Sequence, residues 1–270
     1  VVQVVAVVVQ VVAVMACVWG QHRHPCRDSR EGPTGERGTS SAPWQHQFGT
    51  MAATRHTLPP VSRAKPEGRI TRGTTNPNRL RRADRTFKDF ADHPTQNLTV
   101  AGVLAKSSNI GTILATEGVP AATMERYYRA FGLGTPSAVG FPGEPTGGVT
   151  PAAQVSGSQR YTQLFGQGIS LSAIQATSVF QTIANKGVRM PATLVEGTAE
   201  PGRPVLPQPA AEGQRVVSEQ TATQLSQMLE GVTAAGGTAT KVVIPGYRVA
   251  GKTGTAYRYE DRLADYSGYT

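Results

Sequence analysis

Two short runs in this 270-residue chain hold the residue types best suited to chemistry: Ser107-Ser108-Asn109 and Lys252-Thr253-Gly254-Thr255. A serine hydroxyl both donates and accepts a hydrogen bond, and an asparagine amide does the same through separate atoms. Such a pair can pass a proton and hold a carbonyl. A glycine weakens a strand unless a backbone or ligand must come close, so Lys252 beside Gly254 suits an anion held against a strand edge. Each run also has a plain reading. Ser-Ser-Asn ends many helices by chance, and Gly-Lys-Thr-Gly is an ordinary turn sequence. The runs lie 145 positions apart, so only folding could join them.

The elements that would position them are legible from periodicity and caps. Leu98 to Ala105 reads as a short apolar helix stopping at Lys106-Ser107-Ser108-Asn109. Ala121 to Phe131 reads as a second helix closed by Gly132 at the position after its last turn. Ser172-Ala173-Ile174-Gln175 is a capping box opening a helix with Ala176, Val179, Phe180 and Ile183 on one face. Ser218 opens another, with Ala222, Leu225, Leu229 and Val232 at helical spacing. Tyr247 to Ala250 then reads as a strand leading into Lys252. Helices come early and strands late. That order predicts an α+β fold, with helices packed on an antiparallel sheet, rather than alternating βα units.

Composition divides the chain. Residues 1–82 carry 12 Lys and Arg against 4 Asp and Glu, whereas residues 83–270 carry 15 against 14. The basic excess therefore belongs to the N-terminal part. Residues 1–20 form an apolar run at the short limit for a membrane span; a signal-peptide core and a plain valine tract are the rival readings. Residues 21–77 are basic and rich in Gly, Pro and Arg, and no Leu, Ile, Lys, Asn or Tyr occurs before Leu58. Such a segment lacks the aliphatic surface to offset chain entropy, and disorder is expected. It also lacks the interleaved aromatics of single-strand binders, which argues against a nucleic-acid partner. Cys17 and Cys26 are the only cysteines. With His22 and His24 they make at most an isolated ligand tract, so no metal site is expected. Residues 78–270 read as the folded part.

The runs "NRLRRADRTFKDFADHPTQNLTVAGVLAKSSNIGTILA", "FGQGISLSAIQATSVFQTIANKG" and "YRVAGKTGTA" resemble the transpeptidase domain of class B penicillin-binding proteins, of the cell-division and cell-elongation type found in high-GC Gram-positive bacteria. The resemblance covers roughly Asn78 to Thr270. It implies the fold shared by penicillin-binding transpeptidases and serine β-lactamases. It also implies cross-linking of peptidoglycan stem peptides ending in D-Ala-D-Ala through a serine acyl-enzyme, without metal or organic cofactor. β-Lactam antibiotics would be ligands, and divisome or elongasome proteins partners. The location would be the cell membrane, with the catalytic domain outside the cytoplasm. Ser107 and Asn109 match the family's Ser-x-Asn motif, in which the hydroxyl relays protons and the amide binds the substrate peptide. Lys252 matches the lysine that keeps the pocket positive. Thr253 matches the hydroxyl that binds the terminal carboxylate, Gly254 the residue that leaves room for ligand, and Thr255 the backbone N–H forming half of the oxyanion hole. A D,D-carboxypeptidase or β-lactamase of the same superfamily, and a non-catalytic wall- or β-lactam-binding module, are the alternatives.

The sequence departs from the family at the nucleophile. A Pro-Gly-Ser-x-x-Lys turn opening a long apolar helix is expected about fifty residues before Ser107. Ser62-Arg63-Ala64-Lys65 has the bare spacing, but Pro66 follows at once and no apolar helix succeeds it. The residue usage before Asn78 is that of GC-rich codons read out of frame, so residues 1 to about 77 are expected to derive from a frameshifted or misassembled reading. The domain is expected to be truncated at both ends and inactive.

Overall fold

The computed structural model describes Val11, residues 73–209 and 211–254, and the backbone of two strands at 256–260 and 265–269. The readings placed on Ser62 and Lys65, on the early cysteines and histidines, and on Thr255 lie outside these residues.

The described chain opens with strand β1 (Gly73–Asn76), the hairpin β2 (Leu80–Arg82) and β3 (Arg85–Phe87), and β4 (Gln96–Thr99). β1 runs antiparallel to β4, with Gly73 opposite Thr99 and Asn76 opposite Gln96. The boundary expected at Asn78 therefore falls inside the folded body, because Gly73–Asn76 is already laddered and Asn76 is fully buried. The same ladder claims Leu98 and Thr99, so helix α1 covers Val100–Lys106 rather than starting at Leu98. Thr99 caps it by accepting the Gly102 N–H at 3.1 Å, the usual solution for an orphan first-turn donor.

Helix α2 (Asn109–Thr116) follows after two residues, and α3 (Ala121–Ala130) after Pro120. α3 ends as expected: Gly132 has φ +88° and Leu133 N–H reaches back to the Tyr128 carbonyl at 2.9 Å. A single turn, α4 (Gln159–Thr162), runs into a 3-10 turn that delivers Leu164 and Phe165 to the interior. Helix α5 (Ala173–Ala184) begins with the expected capping box, in which Ser172 Oγ accepts from Gln175 N and Gln175 Oε1 accepts from Ser172 N. Helix α6 (Glu219–Thr233) begins at Ser218, whose Oγ accepts the Thr221 N–H at 3.1 Å.

The larger core joins α1, α3, α5 and α6 through Leu104, Tyr128, Val179 and Leu229, all essentially inaccessible to solvent. Val11, from the apolar run 1–20, is buried in this cluster. A second cluster lies beneath the β2–β3 hairpin and joins Leu80, Phe87, Ile110, Ile113 and Phe165. There Phe87 meets Phe165 edge-on, centroids 5.9 Å apart. The two clusters meet α1 and α2 respectively, so the junction between these helices is packed from both sides.

Among the described residues every strand pairing is antiparallel, as expected, but each sheet has two strands. Short ladders β5 (Val188–Arg189) with β8 (Gln214–Arg215), and β6 (Gly197–Thr198) with β7 (Leu206–Pro207), flank the helices. The strand expected at Tyr247–Ala250 does not form. Hydrogen bonds hold this segment against α6 instead, and Lys252-Thr253-Gly254 has neither helix nor strand geometry. Strand geometry begins only at β9 (Ala256–Glu260), which pairs with β10 (Asp265–Tyr269). Among the described residues no helix is long and apolar enough to cross a membrane.

Candidate active site

Ser107 is placed by the end of α1. Its N–H and that of Ser108 bond back to the Leu104 and Val103 carbonyls at 3.1 and 3.0 Å, closing the helix. This closure puts Ser107 in the left-handed region, at φ 55° and ψ 38°. For a residue with a Cβ that conformation costs on the order of 1–2 kcal/mol. It is kept because Ser108 must immediately start α2. Ser108 is buried and its Oγ accepts the Gly111 N–H at 2.8 Å. Asn109 is the first residue of α2, so Ser107 and Asn109 flank a buried cap.

A third segment grips this junction. Asp89 Oδ2 accepts the Ser108 hydroxyl proton at 2.6 Å, and Asp89 Oδ1 accepts the Ile110 N–H at 2.9 Å. Asn109 Nδ2 donates to the Lys88 carbonyl at 3.2 Å. His93 Nε2 stands 3.1 Å from Asp89 Oδ2 while its Nδ1 faces the Pro94 carbonyl at 2.8 Å. Both ring nitrogens thus face oxygen atoms. Sequence reasoning passed over Lys88, Asp89 and His93. They sit in a charged stretch with the look of a solvated loop, and the partners of Lys88 and Asp89 lie 19 to 21 positions away.

Lys252 comes from the far side. Gly251 N–H bonds to the Leu229 carbonyl at 3.3 Å, and Thr233 Oγ1 donates to the Val249 carbonyl at 2.7 Å. Arg248 pairs with Glu230 at 2.6 Å. These contacts lay residues 248–251 along the second half of α6, which itself packs on α1. The result brings the two sequence motifs together: Lys252 Nζ donates to Ser107 Oγ at 2.6 Å, across 145 positions of chain. The same amine bonds to the Thr253 carbonyl at 2.8 Å. Thr253 Oγ1 lies 2.6 Å from Thr238 Oγ1, and Gly254 is half-buried beside it.

No salt bridge to Lys252 forms among the described residues. Burial without a counter-charge disfavours the ammonium form, and its pKa is pushed down to about 7 from 10.5. Near neutral pH the amine is therefore divided between charged and neutral forms. The charged form, with the hydroxyls of Ser107 and Thr253, suits a carboxylate. Either form can exchange a proton with Ser107. Asn109 lies on the next turn, but the Lys88 carbonyl holds its amide nitrogen.

Other candidates are poorer. A small cleft bordered by Glu117, Met124, Tyr128, Arg160 and Gln163 includes neither motif. Among the described residues no group of three or more His, Cys, Asp or Glu is arranged to hold a metal ion.

Residues 68–269 match the family model described as the penicillin-binding protein transpeptidase domain. The chain is 41% identical over 180 residues to penicillin-binding protein PbpB of Mycobacterium tuberculosis, covering 63% of this chain and 26% of that protein. It is 33% identical over 170 residues to the peptidoglycan D,D-transpeptidase FtsI of Escherichia coli, covering 63% of this chain and 27% of the relative. The crystal structure of penicillin-binding protein 3 from Mycobacterium tuberculosis complexed with ampicillin superposes with a TM-score of 0.68 at 36% identity, covering 73% of this chain and 45% of the other. The chain thus spans about a quarter of the length of these two curated relatives.

Proposed function

Because the chain belongs to the penicillin-binding protein transpeptidase domain family, we propose that Ser107, Asn109 and Lys252-Thr253-Gly254 form the carboxylate-recognising half of a transpeptidase site. The observation that carries this reading is the 2.6 Å bond from Lys252 Nζ to Ser107 Oγ. It joins two motifs that have no local reason to meet. The ligand is the C-terminal carboxylate of a D-Ala-D-Ala stem peptide, or the equivalent carboxylate of a β-lactam. The ammonium and the Thr253 hydroxyl hold the carboxylate, and Asn109 lines the peptide on the α2 side. A charge-assisted hydrogen bond of this kind contributes roughly 1.5–3 kcal/mol.

In the complete reaction a serine hydroxyl attacks the carbonyl of the penultimate D-Ala, the terminal D-Ala leaves as its amine, and the acyl group passes to an acceptor amine of a second stem peptide. Ser107 and Lys252 serve the leaving step. The ammonium restores a proton to the Ser107 hydroxyl as that hydroxyl protonates the departing nitrogen. Thr255, whose N–H is assigned to the oxyanion by family position, belongs to the same reading. So do membrane attachment, an extracytoplasmic site and association with division or elongation proteins.

A second reading is favoured by one specific observation. The family match begins at residue 68, beyond Ser62 and Lys65, which alone have the spacing of the nucleophile motif. On that ground the chain recognises a β-lactam without being acylated. With one lysine and a pair of hydroxyls the affinity is millimolar, about −4 kcal/mol. Incubation with benzylpenicillin followed by intact mass spectrometry separates the readings. The expected result is an unchanged mass together with reversible binding. A stable adduct mapped to Ser62 would make Ser62–Lys65 the nucleophilic turn and return the chain to the full transpeptidase reading.

A further inference from the structure

We infer that Asp89 is the positioning residue of this site, holding the Ser108–Ile110 turn so that Ser107 Oγ stays against Lys252 Nζ. The inference rests on the reading of Ser107 and Lys252 as one site. Three consecutive residues after Ser107 are held from the same short segment: Ser108 and Ile110 by the Asp89 carboxylate, Asn109 by the Lys88 carbonyl. α2 does not need Asp89 for its cap, because Ser108 Oγ already accepts the Gly111 N–H. What Asp89 adds is direction. By taking the Ser108 hydroxyl proton at 2.6 Å it leaves an oxygen lone pair facing the helix, and by taking the Ile110 N–H it fixes the angle at which α2 leaves α1. Ser107 sits at that angle in a left-handed conformation, with its own two helix-closing bonds on the α1 side. A rotation at Ser108 therefore moves Ser107 Oγ directly. Asp89 itself is well shielded, its side chain 12% exposed, and His93 Nε2 stands 3.1 Å from the same Oδ2 that takes the Ser108 proton.

The group that reports on this geometry is the Lys252 amine, which loses its hydroxyl partner and gains water if the turn loosens. Its pH profile is read from the rate of acetylation at Lys252, by peptide mass spectrometry on the full chain. The native protein is expected to titrate near pH 7. Asp89→Ala is expected to move the profile towards the ordinary lysine value and reduce modification at pH 7 about tenfold, one pH unit of midpoint being a factor of ten. Asp89→Asn, which can accept only one of the two protons, is expected to fall between, and it decides the matter if the alanine variant unfolds. His93→Gln, which touches the carboxylate but not the turn, is the control and leaves the profile in place. A merely structural Asp89 would lower the melting temperature of both variants and leave the Lys252 profile unmoved in the folded protein; that result overturns the inference. Failure of the underlying site reading looks different. Benzylpenicillin would then leave the native Lys252 profile unchanged, whatever Asp89 does.

Discussion

The two halves of the site are built by opposite means. The Ser107 side is over-determined: two helix ends share a two-residue junction, two core clusters pack beneath it, and the Lys88–Asp89 segment grips it from outside. The Lys252 side is a coil leaning on α6 through the Gly251–Leu229 and Thr233–Val249 bonds, with a surface ion pair at Arg248. The difference teaches where precision comes from. A left-handed serine is sustained only where the surroundings fix it from several directions. A lysine on a flexible stem can reach its partner from a segment with no ladder at all.

The hardest blow to the comparison is to remove what both halves share. α1 and α6 pack on each other, and Leu104 and Leu229, both nearly inaccessible, belong to the same buried cluster. Leu229→Ala should cost about 2–5 kcal/mol, measured by denaturant unfolding, and should abolish the depressed Lys252 titration as well. A loss confined to one half would show that the halves are independent. Next in size is Ser108→Ala, which deletes the α2 cap and the proton given to Asp89. About 1–2 kcal/mol is expected from the cap, with the Ser107–Lys252 contact loosened. Thr233→Val is milder. It removes one hydrogen bond to the Val249 carbonyl, about 0.5–1.5 kcal/mol, and should shift Lys252 reactivity while leaving α1 and α2 amide exchange unchanged.

The contrast is sharpened further through pH. The Lys252 amine holds its proton below about 7 in the folded chain and below 10.5 when exposed. Between those values the unfolded chain binds one more proton, so stability should rise with pH across that window and fall as pH drops towards 7. Lys252→Met should flatten this dependence. An unchanged slope in that variant would assign the dependence to another group.

Much of this was legible from the residues. The capping box at Ser172, the cap at Ser218 and the stop at Gly132 are local chemistry, and they stand where periodicity put them. Each of the two motifs is ordinary alone, and they were legible through their order along the chain and the family resemblance of the runs around them. The grip of Asp89 was not. Its partners are a hydroxyl and a backbone amide, which leave no pattern in a sequence, and they reach it only through tertiary packing. Tyr247–Ala250 failed for a related reason. Alternation makes a strand only where an edge is free to receive it, and here α6 takes that place. β1 and β2, with sequences Gly-Thr-Thr-Asn and Leu-Arg-Arg, carry too little β-propensity to be read in advance and are held by their ladders.

The central claim is that Ser107 and Lys252 make one carboxylate site. Lysine-selective carbon-13 NMR of the full chain, titrated from pH 5 to 11 with and without benzylpenicillin, tests it most directly. One lysine, assigned by Lys252→Gln, is expected to titrate near pH 7 and to move upward when the penicillin carboxylate binds and favours the ammonium form. A Lys252 resonance that titrates near 10.5 and ignores the ligand would contradict it.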